Sequence, residues 1–228
     1  MTQRYGVLLV VLGLFVGACS EENWEESLQA GLQAAQQRRY ADAEHLMRAA
    51  IEKSQAFGAE DVRVARAMSH LAQFYSAQKR YVEAEETYQR ALRIFQSVYG
   101  DQHATVAATL NNLGVLHRMH GQYAEATPLL QRALTIKEVV FGPEHQEVAL
   151  TLANLGQLFI TQGDMRAAEP YLKRALAIRE KVFGPDHADV AKTLDDYAAV
   201  LRASGRDNEA HRLESRARGI RITVPPTR

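Results

Sequence analysis

Cysteine is almost missing from this chain of 228 residues, which contains only Cys19. A single thiol forms no intramolecular disulfide and cannot build a cysteine-based zinc site. Proline and glycine are also few, at 6 and 14 residues, and 46% of the chain is hydrophobic. This composition is that of a folded protein and excludes intrinsic disorder over most of the length.

An excess of charge of either sign is missing too, because Lys plus Arg and Asp plus Glu both number 27. Binding to nucleic acid usually requires a basic face. The totals leave room for a local basic patch but do not point to one. We therefore expect no nucleic-acid partner.

Motifs for catalysis are absent from the sequence as well. It contains no Gly-rich phosphate loop, no nucleophile elbow and no His-Glu-x-x-His. The frequent acidic residues recur at helix-surface positions, which is typical of solvated faces. We expect no catalytic residue, cofactor or metal, and a protein that is not an enzyme; an active site assembled across repeats is an alternative that no residue cluster supports.

The N-terminus carries a long uncharged run that is almost wholly apolar. Arg4 precedes the uncharged stretch from Gly6 to Val16. A short basic start followed by about ten apolar residues is typical of a secretory signal peptide. The run is too short to span a bilayer comfortably, because a spanning helix takes about 20 residues. The segment therefore predicts export.

The run ends in Val-Gly-Ala-Cys at 16–19. This resembles the lipobox of bacterial lipoproteins, which implies cleavage before Cys19 and lipidation of its sulfur and new N-terminus. Ser20 follows in place of Asp, which by resemblance to Gram-negative sorting favours the outer membrane, facing the periplasm. The alternative is an ordinary signal peptide or an uncleaved anchor in which Cys19 is incidental.

Beyond this segment the sequence repeats every 42 residues. Each repeat begins with apolar residues spaced i, i+4, i+7, i+11, which form one stripe on a helix. The four stripes are Val64-Met68-Leu71-Tyr75, Val106-Leu110-Leu113-His117, Val148-Leu152-Leu155-Phe159 and Val190-Leu194-Tyr197-Leu201. A second helix follows each stripe, with small residues at its contact positions, namely Ala84, Ala91, Ala126, Ala133, Ala168, Ala175, Ala210 and Ala217.

Glycine marks the ends of these helices. Gly121, Gly163 and Gly205 lie between paired helices, and Gly100, Gly142 and Gly184 end the second helices. Glycine adopts the positive φ of a helix C-terminus at low cost. The pattern predicts helix-turn-helix units.

The order Leu152-x-x-Leu155-Gly156-x-x-Phe159, with the second-helix alanines, resembles the tetratricopeptide repeat (TPR). The 42-residue period, with Thr-Leu-Asn-Asn-Leu-Gly at 109–114 and Phe-Gly-Pro-Asp-His at 183–187, resembles the repeats of kinesin light chains. The likeness covers about residues 62–219. It implies an all-α, right-handed superhelical α-solenoid that binds proteins or peptides along a concave groove.

These features divide the chain as follows: signal peptide 1–18; lipidated N-terminus and short linker 19–23; divergent repeat 24–61; repeats 62–103, 104–145 and 146–187; degenerate capping repeat 188–219; extended tail 220–228. The first helix is expected to start near Trp24. Asp207 and Glu214 replace apolar residues in the last repeat, as the polar end of a solenoid requires.

Histidines recur with the same period, at His103, His145 and His187. Equivalent residues of neighbouring repeats lie about 8–10 Å apart, too far to share a metal ion whose ligands lie about 2 Å from it. We therefore interpret them as residues of the turn between repeats. His117 occupies an apolar column, and we expect a hydrogen-bonded core histidine there.

Asparagines are the main candidates for ligand binding. Asn112 and Asn154 each precede a stripe residue and should face the groove, with Asn111 beside the first. An amide offers both a donor and an acceptor, which suits an extended peptide backbone. In the repeats that this chain resembles, asparagines at this place hold bound peptides, which implies that role for Asn112 and Asn154.

Asparagine does not occupy this position in every repeat, because His70 and Asp196 stand at the matching positions in the flanking repeats. The other expected groove residues are Arg66, Gln73, Arg118, Gln157, Lys192 and Arg202. Alternatively, these residues only solvate a concave surface.

The sequence thus favours a lipid-anchored scaffold of the bacterial envelope that binds a peptide or partner protein. One rival is a structural subunit that binds through its convex face or solenoid ends. Another is a cytoplasmic adaptor similar to kinesin light chains, against which the lipobox and the lack of heptads weigh.

Overall fold

A computed structural model describes the backbone of residues 13–223 and the side chains of residues 23–222. Most of the expected signal peptide, the Cys19 side chain and tail residues 224–228 lie outside this part. The helices that the structure describes include none that is both long and apolar enough to cross a membrane.

Within residues 13–223 the structure contains ten α-helices and no strand. The helices are α1 (Gly13–Gln36), α2 (Tyr40–Ser54), α3 (Val62–Ala77), α4 (Tyr81–Tyr99), α5 (Ala104–Met119), α6 (Tyr123–Phe141), α7 (Gln146–Gln162), α8 (Met165–Phe183), α9 (Ala188–Ala203) and α10 (Asp207–Thr223). A 3₁₀ turn, Gln55–Phe57, follows α2. The expected all-α class of paired helices is confirmed.

The chain forms two compact units, Met1–Val98 and Tyr99–Arg228. The first unit holds α1 to α3 and all of α4 but its last residue, Tyr99, and the second holds the three pairs α5/α6, α7/α8 and α9/α10.

Two expected boundaries need correction. Helix α1 begins at Gly13 rather than near Trp24, so the backbone of 19–23, expected to be a linker, is helical. Helix α10 continues to Thr223, so residues 220–223, expected to belong to an extended tail, are helical. In both places the residues are compatible with helix and no proline stops it.

Small residues let the two helices of a pair pack closely. A Cβ built on Gly156 of α7 would lie 2.6 Å from Cγ of Leu172 on α8, and one on Gly114 of α5 would lie 2.6 Å from Cγ of Leu130 on α6. Both leucines are fully buried. These glycines therefore set the separation within their pairs, since the interior is close-packed.

Left-handed residues end the first helix of every pair. Gly121, Gly163 and Gly205 have φ of 82°, 80° and 75°, as expected. In the first unit Arg38 and Lys79 adopt the same conformation, each with φ of 60°. A residue with a side chain is strained in this conformation. The turns of the first unit nevertheless have the same geometry as those that contain glycine.

The periodic histidines cap helices. Nδ1 of His103, His145 and His187 accepts a hydrogen bond from the backbone N–H two residues on, at 3.1, 3.2 and 3.1 Å. Each ring stacks on the aromatic residue four positions earlier, with centroids 4.3 to 4.6 Å apart. Their interpretation as turn residues is confirmed: each closes one repeat and satisfies a free N–H at the start of the next helix.

Two buried cations, Lys137 and Arg179, tie successive pairs together, and nothing in the repeat pattern predicts their burial. Nζ of Lys137 on α6 lies 2.8 Å from Oε2 of Glu147 and donates to its backbone oxygen at 3.3 Å. One repeat later, Arg179 on α8 donates to the backbone oxygen of Asp189 at 3.1 Å and to Oγ1 of Thr193 at 2.5 Å. Each cation contacts the first turns of the following helix, because a buried charge requires an ion pair, as for Lys137, or hydrogen bonds, as for Arg179.

Candidate functional site

The first helices of the second unit form a common face. Helix α5 contacts α7, and α7 contacts α9. Equivalent positions on these helices hold Asn112, Asn154 and Asp196, and neighbouring positions hold Gln157 and Lys192. We call these five residues the polar row.

The asparagines are not equivalent within the polar row. Asn112 is exposed, whereas Asn154 is half-buried and donates from Nδ2 to Oδ1 of Asn111 at 2.9 Å. Asn111 is buried and its own Nδ2 lies 3.5 Å from Oδ1 of Asn112. Asn111 therefore braces α5 against α7 and is not open to a ligand, which corrects the expectation for this residue.

Asp196 is a half-buried carboxylate at the α9 end of the polar row. Burial raises its pKa above the usual range, and a hydrogen bond from Gln157 and the charges of Lys192, Arg179 and Arg118 oppose that rise. The structure thus brings the predicted residues Gln157, Arg118, Lys192 and Asp196 into one electrostatic cluster.

Arg118 has unused donor capacity. Burial lowers the pKa of its guanidinium, and Asp196 and Tyr123 oppose this. Its Nε is buried and has no hydrogen-bond partner within the described residues. Such an atom normally carries a desolvation cost of about 1–3 kcal/mol unless a partner or a bound molecule satisfies it.

The other two predicted groove cations of this unit, Lys192 and Arg202, differ in whether a neighbour already binds them. Lys192 is exposed. Arg202 donates to Oε2 of Glu214 on α10 at 2.8 Å, so part of its donor capacity is already used within the last pair. Glu214 is the charged residue that replaces an apolar one in the last repeat. Its carboxylate therefore has a cationic partner.

In the first unit, a groove of about 1060 Å³ lies between α1 and α3, and we call it the α1–α3 groove. The predicted residues His70 and Gln73 line it, and exposed Arg66 lies outside its lining. Burial and the charge of Arg66 lower the pKa of His70, so His70 is neutral at neutral pH.

His117 is confirmed as a core histidine. It is buried, and its Nδ1 lies 2.8 Å from Oε1 of Gln122 in the turn that follows. Among the described residues, no group of three or more His, Cys, Asp or Glu is arranged to hold a metal ion.

The model of the tetratricopeptide repeat family matches residues 63–138, 121–181 and 147–222, which together span more than half of the chain. The chain belongs to the tetratricopeptide repeat family. TPR arrays form extended surfaces that bind other proteins, and a scaffold for protein–protein interaction is the general function that membership implies.

Solved structures share this TPR fold. BtubC (BKLC) from P. vanneervenii is 26% identical, with 92% of this chain and 93% of that chain covered and a TM-score of 0.73. A putative kinesin light chain with nearly identical TPR-like repeats from Podospora anserina is 21% identical, with 87% and 94% covered and a TM-score of 0.75. A Rap protein complexed with competence and sporulation factor is 18% identical, with 88% and 54% covered and a TM-score of 0.73. No curated protein matches the chain significantly in sequence.

The structure also adds TPR surface residues that the sequence analysis missed. Gln29, Gln33 and Gln36 of α1 line the α1–α3 groove, and Leu150 of α7 is 40% exposed at the position equivalent to Lys192. A signal was present for the glutamines, because residues spaced i, i+4, i+7 share one helix face. The departure of α1 from the repeat pattern hides this signal.

Proposed function

We propose that the protein is a lipid-anchored TPR scaffold of the bacterial envelope, which binds a peptide segment of a partner through the first-helix faces. It acts by binding, without a catalytic step. The lipid would be carried by Cys19, and the outer membrane facing the periplasm is the proposed location.

The observation that carries the proposal is the polar row of the second unit. Three adjacent helices present exposed Asn112 and Lys192 together with half-buried Asn154, Gln157 and Asp196. A row of donors and acceptors on packed helices can hold a peptide backbone without ordering new side chains. The Nε of Arg118 supports this proposal, because no group among the described residues accepts a hydrogen bond from it.

Two further observations support binding and anchoring. The Rap protein, which shares the fold, was solved as a complex with competence and sporulation factor. The lipobox-like residues 16–19 support the anchor. Several acyl chains would give stable attachment, since each buried CH₂ contributes about 0.8 kcal/mol.

The test compares the wild-type lipoprotein with an Asn112→Ala/Lys192→Ala variant in pull-downs from detergent-solubilised envelopes. Both residues are exposed, so their loss should leave the fold intact. Asn154 is left unchanged because its removal would leave Oδ1 of buried Asn111 without the hydrogen bond that Asn154 donates. A matched control is Lys173→Ala/Asn208→Ala, which alters exposed residues on α8 and α10.

A partner retained by the control and lost by the Asn112→Ala/Lys192→Ala variant would support binding through the polar row. A partner held equally by all three proteins would refute it. In parallel, Cys19→Ser should abolish the incorporation of labelled fatty acid into the protein, and unchanged incorporation would refute the lipid anchor at Cys19.

A second candidate function is a structural subunit that binds through its second helices. Val139 of α6 is 72% exposed, and Val140 and Val182, one repeat apart, are 42% and 44% exposed. Exposed apolar residues at repeated positions are typical of protein contacts. A Val139→Ser/Val182→Ser variant that loses the partner, while the Asn112→Ala/Lys192→Ala variant retains it, would favour this function.

A further inference from the structure

The second helices carry an arginine at one position of every repeat, namely Arg90, Arg132, Arg174 and Arg216. In the second unit each of these arginines binds an acidic residue of the preceding repeat. Nη1 of Arg174 lies 2.6 Å from Oε1 of Glu138, and Arg216 pairs with Glu180 in the same way. Nη2 of Arg132 lies 2.7 Å from Oδ1 of Asp101. An arginine at this position therefore takes a carboxylate.

Arg90, on α4 of the first unit, differs from the other three. Its preceding repeat offers Ser54 at the position of Glu138, with Gln55 beside it, and both are neutral. Arg90 is exposed, and no hydrogen bond or ion pair joins its side chain to any residue that the structure describes. Its guanidinium is therefore open to a carboxylate, the partner with which it forms its strongest hydrogen bonds.

Arg90 lines a pocket of about 480 Å³ between α2 and α4, which we call the α2–α4 pocket. Small-molecule sites have volumes of about 300–1,000 Å³. The apolar part of the lining consists of Ile51 from α2 and Met68 and Leu71 from α3. The pocket thus combines an apolar surface with an open cation.

Two open carboxylates line the same pocket. Glu86 precedes Arg90 by about one helical turn, or about 6 Å along α4, and Glu52 lines the pocket from α2. Both glutamates are exposed, and within the described part of the chain neither side chain forms a hydrogen bond or an ion pair. They are therefore open to a cation.

The remaining charges of the lining are already paired. Arg48 lies 3.0 Å from Oε1 of Glu44, and Glu83 pairs with Arg80. The charges left for a ligand are thus those of Arg90, Glu52 and Glu86.

A ligand that matches these charges carries both signs. A simple carboxylic acid would pair with Arg90 but would add a negative charge beside Glu52 and Glu86. An ammonium group next to the carboxylate offsets this repulsion and can pair with Glu86. An α-amino acid holds both groups on one carbon, and an apolar side chain on that carbon can lie against Ile51 and its apolar neighbours.

We propose that the α2–α4 pocket binds a free α-amino acid with an apolar side chain, whose carboxylate pairs with Arg90 and whose ammonium pairs with Glu86. The ligand supplies in the first unit the carboxylate that the arginines of the second unit take from their own chain. This small-molecule site goes beyond the proposed binding of a protein or peptide and does not depend on the polar row.

The test measures the Kd of L-leucine, L-methionine and L-phenylalanine for the full-length protein in detergent by isothermal titration calorimetry. Three analogues each remove one group of leucine: leucinamide lacks the carboxylate, N-acetyl-leucine lacks the ammonium, and glycine lacks the apolar side chain. We expect leucine to bind and the first two analogues to bind about tenfold to a hundredfold more weakly, the range that corresponds to one lost charged hydrogen bond. Glycine should also bind more weakly than leucine.

Arg90→Gln should weaken the binding of leucine by a similar factor, about tenfold to a hundredfold. Its matched control is Arg93→Gln, which removes the same charge from an exposed residue of α4 outside the pocket lining and should bind leucine like the parent. Circular dichroism checks that the variants have equal helicity. Leucinamide should bind Arg90→Gln no more weakly than it binds the parent, because the contact with Arg90 is already missing from that ligand.

A second variant, Glu86→Gln, tests the ammonium site and should also weaken the binding of leucine. The Asn112→Ala/Lys192→Ala variant should bind leucine like the parent. If that variant loses leucine instead, the amino acid binds at the polar row and the assignment to the α2–α4 pocket is wrong.

Three further results would overturn the proposal: no binding of leucine, methionine or phenylalanine at millimolar concentrations, leucine binding that Arg90→Gln leaves unchanged, or leucinamide that binds as tightly as leucine. None of these results bears on the envelope pull-down, so the proposed function is tested separately.

Discussion

Replacing Gly156 with alanine should destabilise the protein, although alanine is the better helix former. Gly156 lies inside α7, where a new Cβ would meet Leu172 of α8 at 2.6 Å from Cγ and 2.7 Å from Cδ2. Real Cβ contacts are not this short, so Leu172 would have to move. It is fully buried, and its cluster includes Ala168 and Val200.

Two opposing terms set the magnitude. Alanine in place of glycine inside a helix stabilises by about 1 kcal/mol. Overpacking a core costs about 1–3 kcal/mol, and the upper half applies because the clash involves the branching atom of a buried leucine. We expect a net loss of about 1–2 kcal/mol in the free energy of unfolding.

The assay is urea unfolding followed by circular dichroism, with Gly219→Ala as the matched control. Gly219 is also helical, but a Cβ there meets nothing within 4 Å. The control should therefore be as stable as the parent or slightly more stable. The reasoning is refuted if Gly156→Ala unfolds at the same or a higher urea concentration than the parent.

Other substitutions test the caps, turns and ion pairs. His145→Ala should cost about 1 kcal/mol by removing the cap on α7, while His145→Asn should retain most of it, and equal thermal midpoints would contradict this. Lys79→Gly should raise the thermal midpoint by relieving a positive φ of 60°, and a lower midpoint would show that the turn is unstrained. Hydrogen bonds from Arg80 are the main cause that lowers the pKa of Glu44 from 4.5 to about 2, so its carboxylate stabilises the fold above pH 4.5 and this is lost as the pH falls towards 2. Glu44→Gln should reduce the loss of stability over this pH range by up to about 1 kcal/mol, and an acid-unfolding profile identical to the parent's would contradict it.

The repeat period was sufficient to predict the helix pairs. Columns such as Ala126 and Ala168 recur every 42 residues, and they are buried as expected. The histidine turns followed from the same period, because a residue that recurs between helices has a local structural role. The geometry of the cap, with Nδ1 as acceptor, depended on ring orientation and required the structure.

The candidate site was less predictable, because neighbours on adjacent helices decide which amides are free. Asn154 and Asn112 are equivalent in sequence, yet Asn154 bonds Asn111 while Asn112 is exposed. Lys137 reads as a surface cation in the sequence, and only its contact with Glu147 in the next pair explains its burial. Such contacts cross from one repeat to the next and have no signature within a single helix.

The cap formed by His145 and Phe141 has a consequence for how the chain can change in length. All parts of the cap lie within a few residues of the junction, and His187 with Phe183 repeats it 42 residues later. In-frame loss of residues 146–187 would join His145 to Ala188 and recreate a working junction. Gain or loss of whole repeats by recombination therefore requires no new turn. The number of helices that face a ligand can change in this way while the fold of each helix pair stays the same.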